Sequence, residues 1–201
     1  MIIRVCIYLI GLVVLCLGVV LNTKTNLGVA AINVTPFVLS KTTTISLGTA
    51  VFIMYCLFIL CQCILKQKIE LLTILQLPVS LLFGKMVDLF NTLLNFEASN
   101  IVTGLIMLLI AIILVAFGTT LVISQNLVPN APDGFVNTIG EKTNKQFGYV
   151  KLRFDIVCVC IAFILSLILS GKIIGIGIGT IISMLLTGNM CTFFKKIIIK
   201  N

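Results

Sequence analysis

The sequence predicts an all-α membrane protein with about six transmembrane helices in two inverted three-helix repeats. Its composition supports the membrane assignment, because 60% of the 201 residues are hydrophobic and only 10% are charged. A weak similarity between the two halves of the chain supports the repeats. We therefore expect a single membrane domain over residues 1–201, with the lipid bilayer as its first partner.

Six apolar segments are candidates for membrane-spanning helices, each of which needs about 20 residues to cross a roughly 30 Å hydrocarbon layer. They cover residues 5–22, 47–65, 71–94, 101–125, 154–170 and 173–194. The last two are the least regular, so the sequence is compatible with five or six spans. The first follows Arg4 but lacks a signal-peptide cleavage site, so we expect it to be retained as a helix.

The similarity between the halves, about 1–96 and about 101–194, lies in residues at constant offsets. Gly18 and Gly48 recur 100 positions later, and Gly84 recurs 104 positions later. Each half holds three spans, and this odd number places the second half upside down relative to the first. Inverted repeats of this kind are common in transporters.

Each half also contains an apolar segment that is too short to cross the membrane. These segments are residues 27–39 and 127–139, and we expect a short half-helix to begin at Pro36 in one and at Pro132 in the other. Such a segment is either re-entrant, lining a wet cavity, or interfacial, lying flat on the membrane surface. The sequence leaves both arrangements open. Residues 140–151 are predicted to form a basic loop.

The basic residues predict the orientation in the cell membrane. If the first helix starts inside, ten of the fourteen Lys and Arg residues lie on the inner side, so both termini are expected in the cytoplasm. The same bias explains the net charge of +8, and no nucleic-acid partner is expected. The inner residues are Arg4, Lys66, Lys68, Lys142, Lys145, Lys151, Arg153, Lys195, Lys196 and Lys200; the outer ones are Lys24, Lys41, Lys85 and Lys172.

Two acidic residues lie within the predicted spans or at their edges, each near a lysine on the same helix face. Lys85 and Asp88 are three apart, Lys151 and Asp155 are four apart, and either couple can form an ion pair. Alternatively, these carboxylates face the bundle interior and bind an ion, a proton or a solute. Asp155 falls at the position of Tyr55 in the first half. The candidate lining of a solute site is Asn26, Thr35, Pro36, Gln76, Asp88, Asn126, Asn130, Pro132, Asp133 and Asp155.

Small residues recur every four positions towards the C-terminus. On one helix they would form a face that another span can approach closely, so we interpret them as packing residues. They are Gly171, Gly175, Gly179 and Ser183.

The sequence contains no recognisable catalytic or metal-binding constellation. It has no His, its six acidic residues are scattered, and its eight cysteines contain no C-x-x-C pair of the kind that favours zinc. A nucleotide-binding motif is missing as well. We expect no enzymatic activity, no metal and no cofactor.

A series of glycine, proline and polar landmarks runs along the whole chain. They are Arg4, Gly11, Gly18, Gly28, Pro36, QLP at 76–78, Gly84, Asp88, Pro132, Asp133, Lys151, Arg153, Asp155, GIGIGT at 175–180 and Gly188. Taken together, these landmarks resemble the YczE/YyaS/YitT family of bacterial membrane proteins, and the chain is similar to its short YczE-like members. The resemblance implies a plasma-membrane protein of five or six helices, and it implies no particular substrate or catalytic residue.

Two functions fit these features. The first is a transporter or channel for a small solute, and the N-termini of two half-helices would suit an anionic group on that solute. The second is a membrane accessory protein that does not transport but binds a partner in biosynthesis, secretion or signalling. In either case the small-residue face offers a contact for a second copy of the chain or for another membrane protein.

Overall fold

The computed structural model describes residues 2–198, and over this range the chain forms eight α-helices. Six of them are long and apolar enough to cross a membrane, which confirms the predicted all-α class with six spans. The last predicted inner lysine, Lys200, lies outside the described residues. The helices are α1 (Ile2–Thr23), α2 (Ala31–Thr42), α3 (Leu47–Lys66), α4 (Leu71–Leu93), α5 (Ile101–Ser124), α6 (Ala131–Thr143), α7 (Phe147–Ser170) and α8 (Ile178–Ile198). The short helices are α2 and α6.

Some predicted helix boundaries were wrong. α7 begins at Phe147, so part of the predicted basic loop is helical; the Tyr149 ring packs under the cations of Lys145 and Arg153, which lets this basic segment fold. α2 begins before Pro36, which therefore lies inside the helix rather than at its start. Pro132, by contrast, lies in the first turn of α6, as predicted.

The predicted ladder of small residues is not formed on a single helix. Gly171 ends α7 in a left-handed conformation, with φ 64°, and Gly175, with φ 74°, precedes α8. These two conformations turn the chain between the helices. The last span therefore begins at residue 178 rather than at the predicted residue 173. Gly179 and Ser183 are on α8, and the N–H of Gly179 donates to the carbonyl of Leu27 at 2.7 Å.

The helices of the two halves pack in equivalent ways. Both halves have the order long, short, long, long, and α1 packs against α5 between them. Each of the other main contacts between two helices recurs between the equivalent helices of the other half, where α1 to α4 correspond to α5 to α8. The pairs are α2·α7 and α6·α3, α1·α4 and α5·α8, α2·α3 and α6·α7, α3·α4 and α7·α8, and α2·α8 and α6·α4. Both short helices are therefore packed between spans of the opposite half.

Glycines allow α1 and α5 to approach closely. A Cβ atom added at Gly118 would lie 2.5 Å from the backbone nitrogen of Leu15, and one added at Gly18 would lie 2.7 Å from that of Val115. Both distances are too short for a side chain, so only glycine fits at either position. The glycine column at 18 and 118 thus joins the two halves.

The third and fourth helices of each half pack differently. In the first half, a Cβ added at Gly84 would lie 2.6 Å from the carbonyl oxygen of Gly48, so α3 and α4 are in tight contact. In the second half, nothing lies within 4 Å of a Cβ added at Gly148 or Gly188. The second half therefore has open space beside two of the glycines on α7 and α8 that match glycines of the first half.

Candidate functional site

A cavity of about 70 Å³ lies between the two halves, beside the C-terminal part of α1 and the middle and C-terminal part of α5. It has room for a few water molecules or a small solute. Side chains from seven of the eight helices line it, and α4 does not contribute. The cavity is therefore a feature of the whole bundle rather than of one helix pair.

The lining repeats at an offset of 100 residues. Six pairs of lining residues are related in this way: Leu15 and Val115, Val19 and Thr119, Ala30 and Asn130, Ile32 and Pro132, Asn33 and Asp133, and Tyr55 and Asp155. In most pairs the second half supplies the more polar or more acidic residue. The cavity is therefore built from equivalent positions, with its acidic groups on one side.

Both short helices start at this cavity. Ala30 and Asn130 are their N-cap residues, and in neither case does the side chain cap its own helix. The spans α3 and α5 differ, because the side chains of Ser46 and Asn100 accept first-turn N–H groups there, whereas α4 and α7 also begin without a side-chain cap. Without a side-chain cap, first-turn N–H groups of α2 and α6 remain hydrogen-bond donors and each N-terminus keeps a partial positive charge.

Within residues 2–198, three buried oxygen atoms of the cavity residues have no hydrogen-bond partner. They are Oδ1 of Asn33, Oδ1 of Asn130 and Oδ1 of Asp155, and each residue is 5% exposed. Asn130 uses its amide nitrogen to donate to the Tyr55 hydroxyl at 3.4 Å, so its oxygen stays free. Buried polar atoms are normally satisfied. These oxygens therefore indicate water or a ligand in the cavity.

Charged groups of both signs lie at the cavity. Lys151 Nζ lies 3.8 Å from Asp155 Oδ1, which confirms the predicted ion pair but is too long for a hydrogen bond. Asp133, on α6, is also buried and lines the cavity. Each helix N-terminus contributes about half a positive charge. Two carboxylates therefore face one ammonium group and two helix N-termini, and the Lys195 ammonium group lies nearby, 5.2 Å from the ring of the lining residue Phe147.

Asn22 completes the polar lining from α1. Its side-chain oxygen accepts the backbone N–H of Ala30 at 2.6 Å, and its amide nitrogen donates to Ser183 Oγ on α8 at 3.3 Å. This bridge holds the chain just before α2 against α1 and α8. It thereby positions the N-terminus of α2 at the cavity.

A larger polar cleft of about 470 Å³ opens at the end of the bundle where α1 begins and α3 ends. Gln62 and Gln76 exchange two side-chain hydrogen bonds there, at 2.9 and 3.2 Å, and Gln62 also donates to the carbonyl of Ala131 at 3.1 Å. Gly134 lines the cleft, whereas Asp133, its neighbour, lines the cavity. Only the first turn of α6 separates the two spaces.

An ion-pair network lies at the rim of the cleft. Glu70 accepts hydrogen bonds from Lys66 at 2.7 Å and is 3.0 Å from the Lys68 ammonium. These contacts lower the pKa of the Glu70 carboxyl below its usual value. Glu70 therefore stays ionised, and the rim keeps a fixed pattern of charge.

The equivalent place at the other end of the bundle is apolar and filled, although two clefts of about 350 and 450 Å³ open elsewhere at that end. Val34, Val38 and Ala162 form a buried cluster there with Val29, at the positions that Gly134, Thr138 and Gln62 occupy around the cleft. Two loops close over this cluster. Val29 N–H donates to the Gly175 carbonyl at 2.7 Å, and the loop before α2 also receives the Gly179 bond described above.

Five of the ten predicted lining residues lie in or beside this site. Asn130, Pro132, Asp133 and Asp155 line the cavity, and Gln76 lines the cleft. Asn33 and Tyr55 were missed, although the 100-residue offset relates them to Asp133 and Asp155. Lys151 was predicted only as an ion-pair partner of Asp155, and no local sequence pattern indicated Asn22 as a cavity residue.

The structure does not bring the other five predicted residues to the cavity. Asn26 and Asn126 adopt φ 55° and 50° just after α1 and α5, in exposed turns, because asparagine tolerates this left-handed conformation. Thr35 and Pro36 are buried in α2 beyond its first turn. Thr35 lines an apolar groove beside α3 and α7 instead.

Asp88 has a structural position rather than one in the cavity. Its carboxylate accepts the N–H of Gly48 at 2.7 Å and the hydroxyl of Ser46 at 2.8 Å, at the start of α3. The predicted ion pair with Lys85 was wrong. Within residues 2–198, the ion pairs involve Lys66, Lys68 and Lys151, and the α3 N-terminus provides the positive partner for Asp88 instead.

A comparison with protein families covers almost the whole chain. The model of DUF6198, described as a family of unknown function, matches residues 2–196. The chain belongs to this family. No curated protein and no solved structure matches it. The DUF6198 match includes both halves and every residue of the cavity described above, so the function has to be argued from that cavity.

Proposed function

We propose that this DUF6198 protein is a cell-membrane transporter that moves a small polar solute through the central cavity. The observation that supports the proposal most is the meeting of two uncapped half-helix N-termini with three unpartnered buried oxygens in that cavity. The N-termini of interrupted helices that point at a solute form part of the substrate sites of many transporters. Burying so many unsatisfied polar groups is costly unless a solute or water occupies the space.

The inverted arrangement of the repeats is part of this proposal. Equivalent contacts between helices support two matching halves, and three spans in each half would place them in opposite orientations. In alternating access, the two halves would then exchange their conformations, so that each end of the bundle opens in turn. In this conformation the polar cleft reaches the first turn of α6, whereas the valine cluster fills the equivalent place beside α2 at the other end.

The side of the membrane follows from the basic residues. The end of the bundle with the cleft carries most of the Lys and Arg residues, so we propose that it faces the cytoplasm, with both termini. The valine cluster beside α2 would then block the outer counterpart of the cleft. This block makes a transporter the better proposal than an open channel, because a channel needs a continuous wet path.

Uptake into proteoliposomes tests this function. The purified protein would be reconstituted, incubated with a panel of small polar solutes, and compared with liposomes that contain Asp155→Asn. We expect uptake of at least one solute above empty liposomes, with a clear loss for the variant, because Asp155 lines the cavity. Glu97→Gln, a change in an exposed loop, is the matched control and should leave uptake unaltered. A folded protein that moves no solute would count against the proposal.

A membrane accessory role is the second proposal, and one observation favours it. The space beside Gly148 and Gly188 leaves a small-residue surface on α7 and α8 that another helix could fill. Isolation in mild detergent tests the accessory role: a stoichiometric membrane partner or a dimer that is lost in Gly148→Leu would support it, and a monomer would contradict it.

The relationship to YczE-like proteins is likewise a proposal, and it rests on the sequence landmarks.

A further inference from the structure

We infer that the solute bound in the central cavity is a small zwitterion, with one acidic group and one protonated amine. This inference rests on the proposed function, because it names the class of solute for the same site. It follows from the donors, acceptors, charges and size of the cavity.

The cavity offers a place for an acidic group. α2 has 12 residues and α6 has 13, and their first turns face the cavity without a side-chain cap. Their N–H groups and partial positive charges favour a carboxylate or a similar anion. Lys151 adds an ammonium group to the same lining.

The cavity also offers a place for a protonated amine. A primary ammonium group has three N–H donors and no acceptor. Oδ1 of Asn33, Oδ1 of Asn130 and Oδ1 of Asp155 are three buried acceptors without a hydrogen-bond partner among residues 2–198. An ammonium group supplies the donors that such acceptors lack, and Asp155 would share its charge between that group and Lys151. An anion could not do this, because it brings acceptors to acceptors.

The mixed charges at the cavity favour a solute that carries both signs. Asp133 and Asp155 already face Lys151 and the two helix N-termini, and Lys195 lies close to the lining residue Phe147. A simple anion or a simple cation would leave one uncompensated charge in a buried site, which is costly. A zwitterion avoids this cost, provided that its two ends reach the two kinds of group.

The size of the cavity limits the length of the solute. Its volume is about 70 Å³, and an apolar cavity of about 150 Å³ accommodates benzene. The site therefore suits a solute of only a few non-hydrogen atoms. Glycine is the smallest common zwitterion with both required groups, so it is the first probe.

Thermal unfolding of the intact protein in detergent tests this inference without any transport measurement. Glycine, acetate, methylammonium, and acetate with methylammonium would be added at equal concentrations, and alanine and β-alanine would extend the zwitterion series. We expect at least one zwitterion to raise Tm saturably, and the separate ions to have no such effect. Asp155→Asn should weaken the binding about tenfold or more, because it removes a charge-assisted hydrogen bond. Glu97→Gln should bind like the wild type.

Three results would overturn the inference. Equal stabilisation by acetate alone would show a site for anions, and equal stabilisation by methylammonium alone would show a site for cations. If none of the three zwitterions raises Tm, the unpartnered oxygens are satisfied by water only. The wild-type comparison decides between these results even if Asp155→Asn fails to fold. Zwitterion binding without uptake would contradict the transport proposal alone, and uptake of an unrelated solute would contradict this inference alone.

Discussion

Asn33 and Asp133 are the third residues of the two short helices, and both line one cavity although 100 residues separate them along the chain. One position holds an amide and its counterpart holds a carboxylate. The equivalent helices thus present the same shape with different charge. The acidic group lies in the half that also supplies Lys151 and Asp155.

Exchanging these two residues tests whether charge balance or side-chain identity matters. Asn33→Asp alone adds a buried negative charge, and Asp133→Asn alone removes one, so we expect either single variant to bind the solute poorly. The double variant Asn33→Asp/Asp133→Asn restores the charge and should regain part of the binding. Tm shifts with glycine measure this. A double variant that is worse than both single variants would contradict the equivalence of the two positions.

The ion pair between Lys151 and Asp155 can be examined by a double-mutant cycle. Lys151→Met leaves buried carboxylates without their cation, so it should lower the free energy of unfolding by about 3–5 kcal/mol. Lys151→Met/Asp155→Leu removes both charges and should recover most of that loss. Denaturant titration in micelles gives the values. The double variant should nevertheless bind no glycine, which separates the stability of the pair from its role in the cavity.

The glycine columns of the repeat provide a matched pair of variants. Gly118→Ala places a Cβ 2.5 Å from the backbone nitrogen of Leu15, and such overpacking should cost about 1–3 kcal/mol. Gly148→Ala meets open space within α7 and should stabilise the helix by about 0.5–1 kcal/mol. Thermal unfolding of both variants is the measurement. Equal effects would show that α1 and α5 do not make this close contact.

The role of Asp88 as a helix cap predicts unequal effects for two neighbouring residues. Asp88→Ala removes the acceptor of the Gly48 N–H and the Ser46 hydroxyl, so it should cost about 1–2 kcal/mol of stability. Lys85→Gln should have little effect, because the structure pairs Asp88 with α3 instead. If both variants cost the same, the ion pair expected from the sequence is the correct account.

The unequal ends of the bundle predict unequal access for two introduced cysteines. Thr138 lines the cleft, and Val38, at the equivalent position of the first half, is in the closed apolar cluster. In a background without the eight native cysteines, Thr138→Cys should react with a hydrophilic thiol reagent faster than Val38→Cys. Mass spectrometry follows the modification. A faster reaction at position 38 would mean that the other end is open.

The sequence predicted the spans and the short helices better than it predicted the site. Hydropathy identified all six spans, and the apolar segments with prolines located both short helices. Asp155 and Asp88 have similar local patterns, a carboxylate a few residues from a lysine. One lies in the cavity and the other caps a helix. Only the rotation of each helix, set by its neighbours, distinguishes them.

The sequence by itself determined that the chain is helical and membrane-embedded, and it located the two interrupted segments. Those properties follow from the transfer of each segment out of water, which depends on that segment alone. The tertiary structure decided that Asn33, Asn130 and Asp155 meet at one cavity and that a valine cluster fills the counterpart of the polar cleft. These features depend on contacts such as Gly18 with Val115 and Val29 with Gly175, which join residues far apart in the chain.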